Sequence, residues 1–223
     1  MTSQDELAAV DASATAHPAV QQPAPAPAPA PQGPPTGYAD EFECILRPMR
    51  WWDIPPVMVL ELDAFGEDAW TVGMFWSELA EAASRRYVVA EEYGFDSTHP
   101  DRDGPRIVGY AGLMIGAGEA EVQTIAVDRR REGRGIGSRL LTRLLAEAAR
   151  GGCDEVLLEV REDNYRAQAL YHRFGFELIG LRPKYYQPSN TDALVMRAVG
   201  VAARFGGRKD AGDGRQHRNG RIR

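Results

Sequence analysis

The sequence predicts a single mixed α/β domain over residues 39–200, set between two low-complexity ends. Three observations predict it. Apolar residues recur at the strand period of two in some segments and near the helical period of 3.6 in others. The resulting element order, β-α-α-β-β-β-α-β-α-β-β, is not the regular alternation of a parallel sheet. The composition, 43% hydrophobic and 26% charged over 223 residues, is that of an ordinary globular domain with extensions.

Glu43–Pro48 reads as the first strand. Asp53 is placed to cap a helix that opens with Pro55 and Pro56, residues tolerated in a first helical turn, and that runs to about Phe65. Thr71 is placed to cap a second helix, with Met74, Phe75, Leu79 and Ala82 at helical spacing. Arg86–Glu92 and Ile107–Met114 read as strands joined by a long polar loop containing Asp96, Pro100, Asp103, Gly104 and Pro105. Glu119–Asp128 is another strand. After a glycine-rich turn, Ile136, Leu140, Leu141, Leu144, Leu145 and Ala148 form one apolar stripe of a helix that Gly151 and Gly152 terminate. Asp154–Arg161 is a strand. Asn164 is placed to cap a fourth helix with Ala167, Leu170, Tyr171 and Phe174 on one face, and Gly175 ends it. Phe176–Gly180 and Asp192–Ala198 read as the last strands, joined by a loop containing PKYYQPSN.

Residues 1–38 are dominated by Ala, Pro, Gln, Ser and Thr and are expected to be disordered. Within them Pro23–Pro31 alternates Pro and Ala, which favours an extended polyproline II spacer of about 3 Å per residue. Residues 201–223 are expected to form a second disordered tail. Arg204, Arg208, Lys209, Arg215, Arg218, Arg221 and Arg223 stand against Asp210 and Asp213 there, a local charge of +5. That charge permits a weak contact with RNA or the ribosome, although a solvated tail is the plainer reading.

A net charge of -6 gives no global basic field, so DNA is not an expected partner. Cys44 and Cys153 form no CxxC, and the four histidines are scattered, so neither a metal site nor a disulfide framework is expected and a reducing, cytoplasmic setting fits. The first residues carry Asp5, Glu6 and Asp11 and lack a signal-peptide pattern. No apolar run is long enough to span a membrane.

The most informative stretch is Glu132-Gly133-Arg134-Gly135-Ile136-Gly137-Ser138, between a strand and a helix. Glycines at alternate positions clear side chains from the path of a ligand. The helix amides and dipole put partial positive charge there, which suits a pyrophosphate. A P-loop needs Gly-Lys-Ser/Thr and no lysine is present. A dinucleotide fold needs GxGxxG, and the spacing here is GxGxG. Coenzyme A is the third guest to consider.

Three segments in order, IAVDRRREGRGIGSRLL, LEVREDNYRAQALYHRFGF and KYYQPSNTDALVM, resemble the GNAT acetyltransferase superfamily, whose pyrophosphate loop is written Q/R-x-x-G-x-G/A. Together they resemble its RimI branch, the ribosomal-protein-alanine N-acetyltransferases, over residues 43–198. The resemblance implies the GNAT fold, a mixed and mostly antiparallel central sheet with helices on both faces. It implies acetyl-CoA as co-substrate. Ile125, Ala126 and Val127 would run beside the pantetheine arm. Gly133, Arg134, Gly135, Ile136, Gly137 and Ser138 would hold the pyrophosphate, and Asn164 and Tyr171 would contact the coenzyme further along. In this register Glu132 takes the usual Gln/Arg position; a shifted register would use Arg130, Gly133 and Gly135, and the helix stripe favours the first. A carboxylate beside a pyrophosphate is unfavourable unless it turns away, and Arg129, Arg130, Arg131 and Arg134 are near enough in sequence to offset it.

Glu159 alternates onto the strand face opposite Val156, Leu158 and Val160, and a carboxylate in a covered strand is unusual. Periodicity leaves it open whether Glu159 serves chemistry or pairs with an arginine, and whether Tyr171 is functional or core. The resemblance places a proton acceptor at Glu159 and, at Tyr171, the acid that protonates a departing thiolate. It implies direct acetylation of a protein N-terminal α-amine, the family substrate being the N-terminal alanine of a small-subunit ribosomal protein. An α-amine, with a reference pKa of about 7.7–8.0 against about 10.4 for lysine, is the easier nucleophile for one modest base. Trp70, Tyr185 and Tyr186, in the connections Phe65–Trp70 and Lys184–Asn190, are expected to flank the amine, although the tyrosines also suit sheet packing. A GNAT enzyme acting on lysines or small amines, and a silent acyl-CoA-binding module, remain as alternatives.

Overall fold

The computed structural model describes residues 43–93 and 105–206. The expectations for residues 1–38, for 94–104 of the polar loop and for 207–223 lie outside them. Seven strands form one sheet: β1 (Glu43–Pro48), β2 (Arg85–Tyr93), β3 (Arg106–Ile115), β4 (Glu119–Val127), β5 (Glu155–Arg161), β6 (Glu177–Tyr186) and β7 (Thr191–Ala198). Their order across the sheet is β1-β2-β3-β4-β5-β7-β6. Every neighbouring pair is antiparallel except β4 and β5, which are parallel. The helices are α1 (Ile54–Phe65), α2 (Val72–Ala80), α3 (Ile136–Arg150), α4 (Tyr165–Arg173) and α5 (Val201–Phe205).

Side-chain alternation divides the core. Tyr87, Val89, Tyr110 and Ala126 pack with Ile54, Val57 and Phe75 of α1 and α2. Val88, Ala90, Ala111, Ile125 and Val127 pack on the other face with Leu140, Leu141, Leu144 and Leu145 of α3. The whole predicted stripe of α3 is buried. Each such leucine contributes roughly 1.5–3 kcal/mol by leaving water, so packing rather than propensity holds this helix. Gly112 faces the ring of Tyr87, and an added Cβ would lie 2.3 Å from a ring carbon, so only glycine fits there.

The helix starts follow local chemistry with one correction. Thr71 Oγ1 accepts from the Met74 amide at 3.3 Å, and Asn164 Oδ1 accepts from the Ala167 amide at 3.0 Å. Asp53 does not cap α1. Its carboxylate accepts from the Arg50 amide at 2.7 Å and from Arg47 at 2.6 and 2.9 Å, closing a 3₁₀ turn over Trp51–Asp53. Arg47 also donates to Glu91 at 2.7 Å. These charge-assisted bonds outweigh a single cap.

Two boundaries also change. The sixth strand was expected to end at Gly180, but β6 continues to Tyr186, which places Lys184, Tyr185 and Tyr186 in the sheet. Lys184 adopts a positive φ of 53°, and its amide donates to Asp192 at 2.7 Å, which absorbs the irregularity in register. The expected C-terminal tail begins instead with α5, so the ordered domain extends beyond residue 200. Val201 is fully buried, and Asp154 accepts from the amides of Val201 and Ala202 at 3.0 and 3.1 Å. Phe205 stacks on Phe174 at 6.5 Å, and Arg204 donates to the Phe174 carbonyl at 2.8 Å. The physical reason is the spacing of Val201 and Phe205, which lie on one face of a helical turn.

Candidate active site

The parallel pair opens partway along. Pairing runs from Glu119↔Glu155 to Val122↔Leu158 and stops. Beyond it β4 stays paired to β3 as far as Val127, and β5 stays paired to β7 as far as Arg161. The opening coincides with a bulge: Gly112 pairs with Thr124 and Leu113 with Val122, leaving Gln123 as the extra residue. A bulge bends its strand and increases its twist. The edge of β4 that faces β5 therefore has no ladder partner across Gln123–Val127.

The glycine turn lies at the end of this opening. After β4, Asp128 Oδ1 accepts from the Arg130 amide at 2.9 Å and caps a 3₁₀ turn over Arg129–Arg131. Gly133 and Gly135 then take φ of 76° and 78°, the left-handed region that favours glycine. Gly135 precedes α3, and no side chain caps the helix start. The first amides of α3 have no intrahelical partner, as at any helix start, and so form an anion site.

A cavity of about 280 Å³ occupies the space between β4, this turn and α4. Ile125 and Val127 form one wall, Gly133, Gly135, Ile136, Gly137 and Ser138 the base, and α4 the opposite wall. Arg131, Arg166 and Arg173 line it, and of these Arg131 and Arg166 are already ion-paired to carboxylates. Arg129 pairs with Asp63, Arg130 with Asp128 and Arg131 with Glu92, so these arginines are committed to other carboxylates. Glu132 is met instead by Arg166, in an ion pair between the turn and α4.

Tyr171 lines the cavity from α4 and is otherwise fully enclosed, with its ring edge-on to Phe176 at 5.8 Å. Its hydroxyl has no partner within the protein. Burial, with Tyr186 adding to it, holds the phenol well above its ordinary pKa, so it keeps its proton and can only donate it or share it. A buried hydroxyl left unsatisfied costs free energy that a ligand would recover.

Glu159 lies across the opening, on β5. Leu158 and Val160 face the α3 side, so Glu159 faces the α1/α2 side. Its Oε1 is ion-paired to Arg182 of β6, the Tyr185 hydroxyl bonds the same carboxylate, and Oε2 is buried without a partner. Burial raises the carboxyl above its ordinary value, while Tyr185 and Arg182 oppose the rise. Glu121, on the neighbouring strand, is pushed up to about 6 by burial first and by the charge of Glu159 second.

Of the expected coenzyme residues, Ile125, Val127, Gly133, Gly135, Ile136, Gly137, Ser138 and Tyr171 line the cavity. Ala126 turns its side chain into the α1/α2 core, which leaves only its backbone beside the opening. Arg134 does not line the cavity. Asn164 is fully buried beneath α4, with Nδ2 unpartnered. Tyr185 is half-buried and Tyr186 buried under Arg161, whose guanidinium lies 5.5 Å from the ring centroid. Trp70 does not present a surface to an acceptor. It is buried, 5.4 Å from Phe75, with its amide donating to Glu61 at 2.7 Å; its large apolar area explains the placement. Sequence reasoning passed over Arg166 and Arg173. They share a helical face with Ala169 and Leu170, a spacing that points them together at the turn. Among the described residues no group of three His, Cys, Asp or Glu side chains stands together as a metal site. No described helix is long and apolar enough to cross a membrane.

A sheet parted at its parallel pair, with uncapped helix amides at the end of the opening and an unpartnered phenol in its wall, defines an acetyl-CoA-dependent N-acetyltransferase. The acetyltransferase (GNAT) family matches residues 52–176, and the chain belongs to it. The chain is 46% identical over 143 residues to the N-alpha-acetyltransferase RimI of Mycobacterium tuberculosis, an alignment covering 62% of this chain and 81% of that protein. It is 31% identical over 151 residues to a Bacillus subtilis protein that carries the provisional name of a ribosomal protein bS18-alanine N-acetyltransferase, covering 68% and 92%. Among solved structures, the ribosomal-protein-S18-alanine N-acetyltransferase of Escherichia coli superposes with a TM-score of 0.59 at 24% identity, over 71% of this chain and 94% of that one, which shows the common fold.

Proposed function

We propose that this enzyme acetylates a protein N-terminal α-amine, the N-terminal alanine of a small-subunit ribosomal protein being the acceptor of choice, with Glu159 as base and Tyr171 as acid. One observation carries the reading: Glu159 Oε2, on β5 beyond the point where its pairing with β4 stops, and the Tyr171 hydroxyl, in the cavity wall, are both buried without partners. The Mycobacterium relative's name supports an α-amine, and the Bacillus relative's name supports the ribosomal alanine.

The residues fit an acyl-coenzyme A. The uncapped amides of α3 suit its phosphates, and the unpaired edge of β4 suits the amide groups of its arm. Bound there, it supplies the acetyl thioester. Glu159, directly or through a water, takes a proton from the attacking amine. As the N–C bond forms and the C–S bond breaks, Tyr171 gives its proton to the leaving sulfur. The exposed amine side of the site is bounded by Tyr185, which also orients Glu159. Cys44 and Cys153 line no part of the cavity, and burial raises both thiols, so direct transfer is favoured over an acyl-cysteine.

The test is thiol release from acetyl-CoA together with mass spectrometry of the acceptor. The acceptors are peptides with a free N-terminal Ala, their blocked versions, and lysine or small-amine controls. Acetylation confined to the free α-amine is expected. Acetylation only of lysines or small amines would overturn the acceptor, and coenzyme binding without any turnover would overturn the catalytic reading.

A further inference from the structure

Away from the cavity, Trp51, Trp52 and Trp76 form an aromatic patch that is 58%, 57% and 48% exposed. Trp51 stacks on Trp76, with centroids 6.0 Å apart and planes 20° from parallel. Trp52 stands edge-on to Trp51 at 5.4 Å. Contiguous exposed aromatic surface of this kind marks an interaction site. The patch is also held in shape. Trp51 and Trp52 sit on the 3₁₀ turn that Asp53 ties to the Arg50 amide and to Arg47, and Trp76 sits on α2. The Asp53 carboxyl would be raised by burial, but its bonds to Arg47 and Arg50 prevail and hold it below its ordinary value, so the tie is ionised near neutral pH. A preformed surface binds without a large ordering cost.

We propose that this patch holds the Pro23–Pro31 segment of the same chain. The segment reads PAPAPAPAP and carries no charge that docking would desolvate. Polyproline II segments dock on grooves lined by aromatic rings because their backbone is already extended and ordered. The connection is long enough. Eleven residues, 32–42, separate Pro31 from Glu43 and can span up to about 40 Å when extended. The return path follows β1, six residues or about 20 Å, and then reaches Trp51 three residues past its end. Attachment on the same chain gives the segment a high effective concentration at the patch. A second copy of the chain is a poorer fit. Three half-exposed indoles offer at most roughly 400 Å², about half of the ~800 Å² per partner that a stable protein interface buries.

The test uses the full-length chain and reads tryptophan emission and acrylamide quenching at several protein concentrations. It is compared with a full-length variant carrying Pro23→Gly, Pro25→Gly, Pro27→Gly, Pro29→Gly and Pro31→Gly. The proline variant is expected to emit further to the red and to be quenched more, with the wild-type values independent of protein concentration. Introducing Trp76→Ala into both chains should remove most of that difference. Identical emission and quenching in the two full-length chains would overturn the proposal. Protection that appears only as protein concentration rises would overturn it as well, and would assign the patch to a second copy.

Discussion

Glu132 of the glycine turn and Arg166 of α4 form an ion pair at the cavity between these two elements. Glu132 stands where related loops carry Gln or Arg, and its charge would oppose a pyrophosphate. The partner from α4 neutralises it and draws it aside. Glu132→Gln should therefore release Arg166 toward the phosphates and tighten acetyl-CoA binding by roughly tenfold at low salt, with a smaller gain at high salt. Arg166→Ala should weaken binding by a similar factor, and the double variant should fall near wild type. Calorimetric titration of coenzyme A into the four proteins checks this. Equal affinities throughout would show that the pair only joins the two elements.

Tyr171→Phe should separate chemistry from packing. The hydroxyl has no protein partner, and an unsatisfied buried hydroxyl costs about 1–3 kcal/mol. Its removal should leave the melting temperature unchanged or slightly higher while kcat falls by about 10²–10⁴-fold. A steep loss of stability with kcat preserved would make Tyr171 a core residue.

Glu159→Gln should slow turnover by about 10²-fold or more with little change in coenzyme affinity. The same variant gives a finer measurement. The Glu159 charge is the second cause, after burial, of the rise of Glu121 to about 6, so removing it makes Glu121 easier to ionise. The Glu121 titration, followed by carboxyl NMR, should move to lower pH. A titration that stays in place would uncouple the two carboxyls.

Glu61 predicts a pH dependence of stability. Burial pushes its carboxyl from the ordinary 4.5 up to about 8, against one bond from the Trp70 amide. Between those values the folded chain keeps a proton that the unfolded chain has lost. The contribution is fully present below about 4.5, declines as pH rises toward about 8, and is constant above it. Glu61→Gln should flatten the urea midpoint across pH 5 to 8. An unchanged slope would place the titration elsewhere.

Much of the fold could be read from local chemistry. Thr71 and Asn164 are helix caps in the structure as they are in the sequence, and the leucine stripe of α3 faces the core. Gly133 and Gly135 are where the sequence clears side chains from the turn, and the structure adds that both stand in the left-handed region. Asp53 could not be read in this way, because its cap position competes with the Arg47 guanidinium of β1, which Glu91 of β2 also holds. Trp70 looked like a loop residue by position, whereas the space between α1, α2 and the sheet accepts it as core.

The order of elements from β1 to β7, the glycine turn and the residue types at Glu159 and Tyr171 could be read along the chain. Periodicity, capping and backbone freedom are properties of near neighbours along the chain. Which charges meet, and which polar atoms are left unpaired, depends on the packed domain. Glu132 and Arg166 are 34 residues apart, and Glu159 meets an arginine from a strand two places away in the sheet. Those pairings depend on where the bulge at Gln123 parts β4 from β5 and on how α4 closes the opening, because electrostatics act through space and burial is a property of the assembled domain.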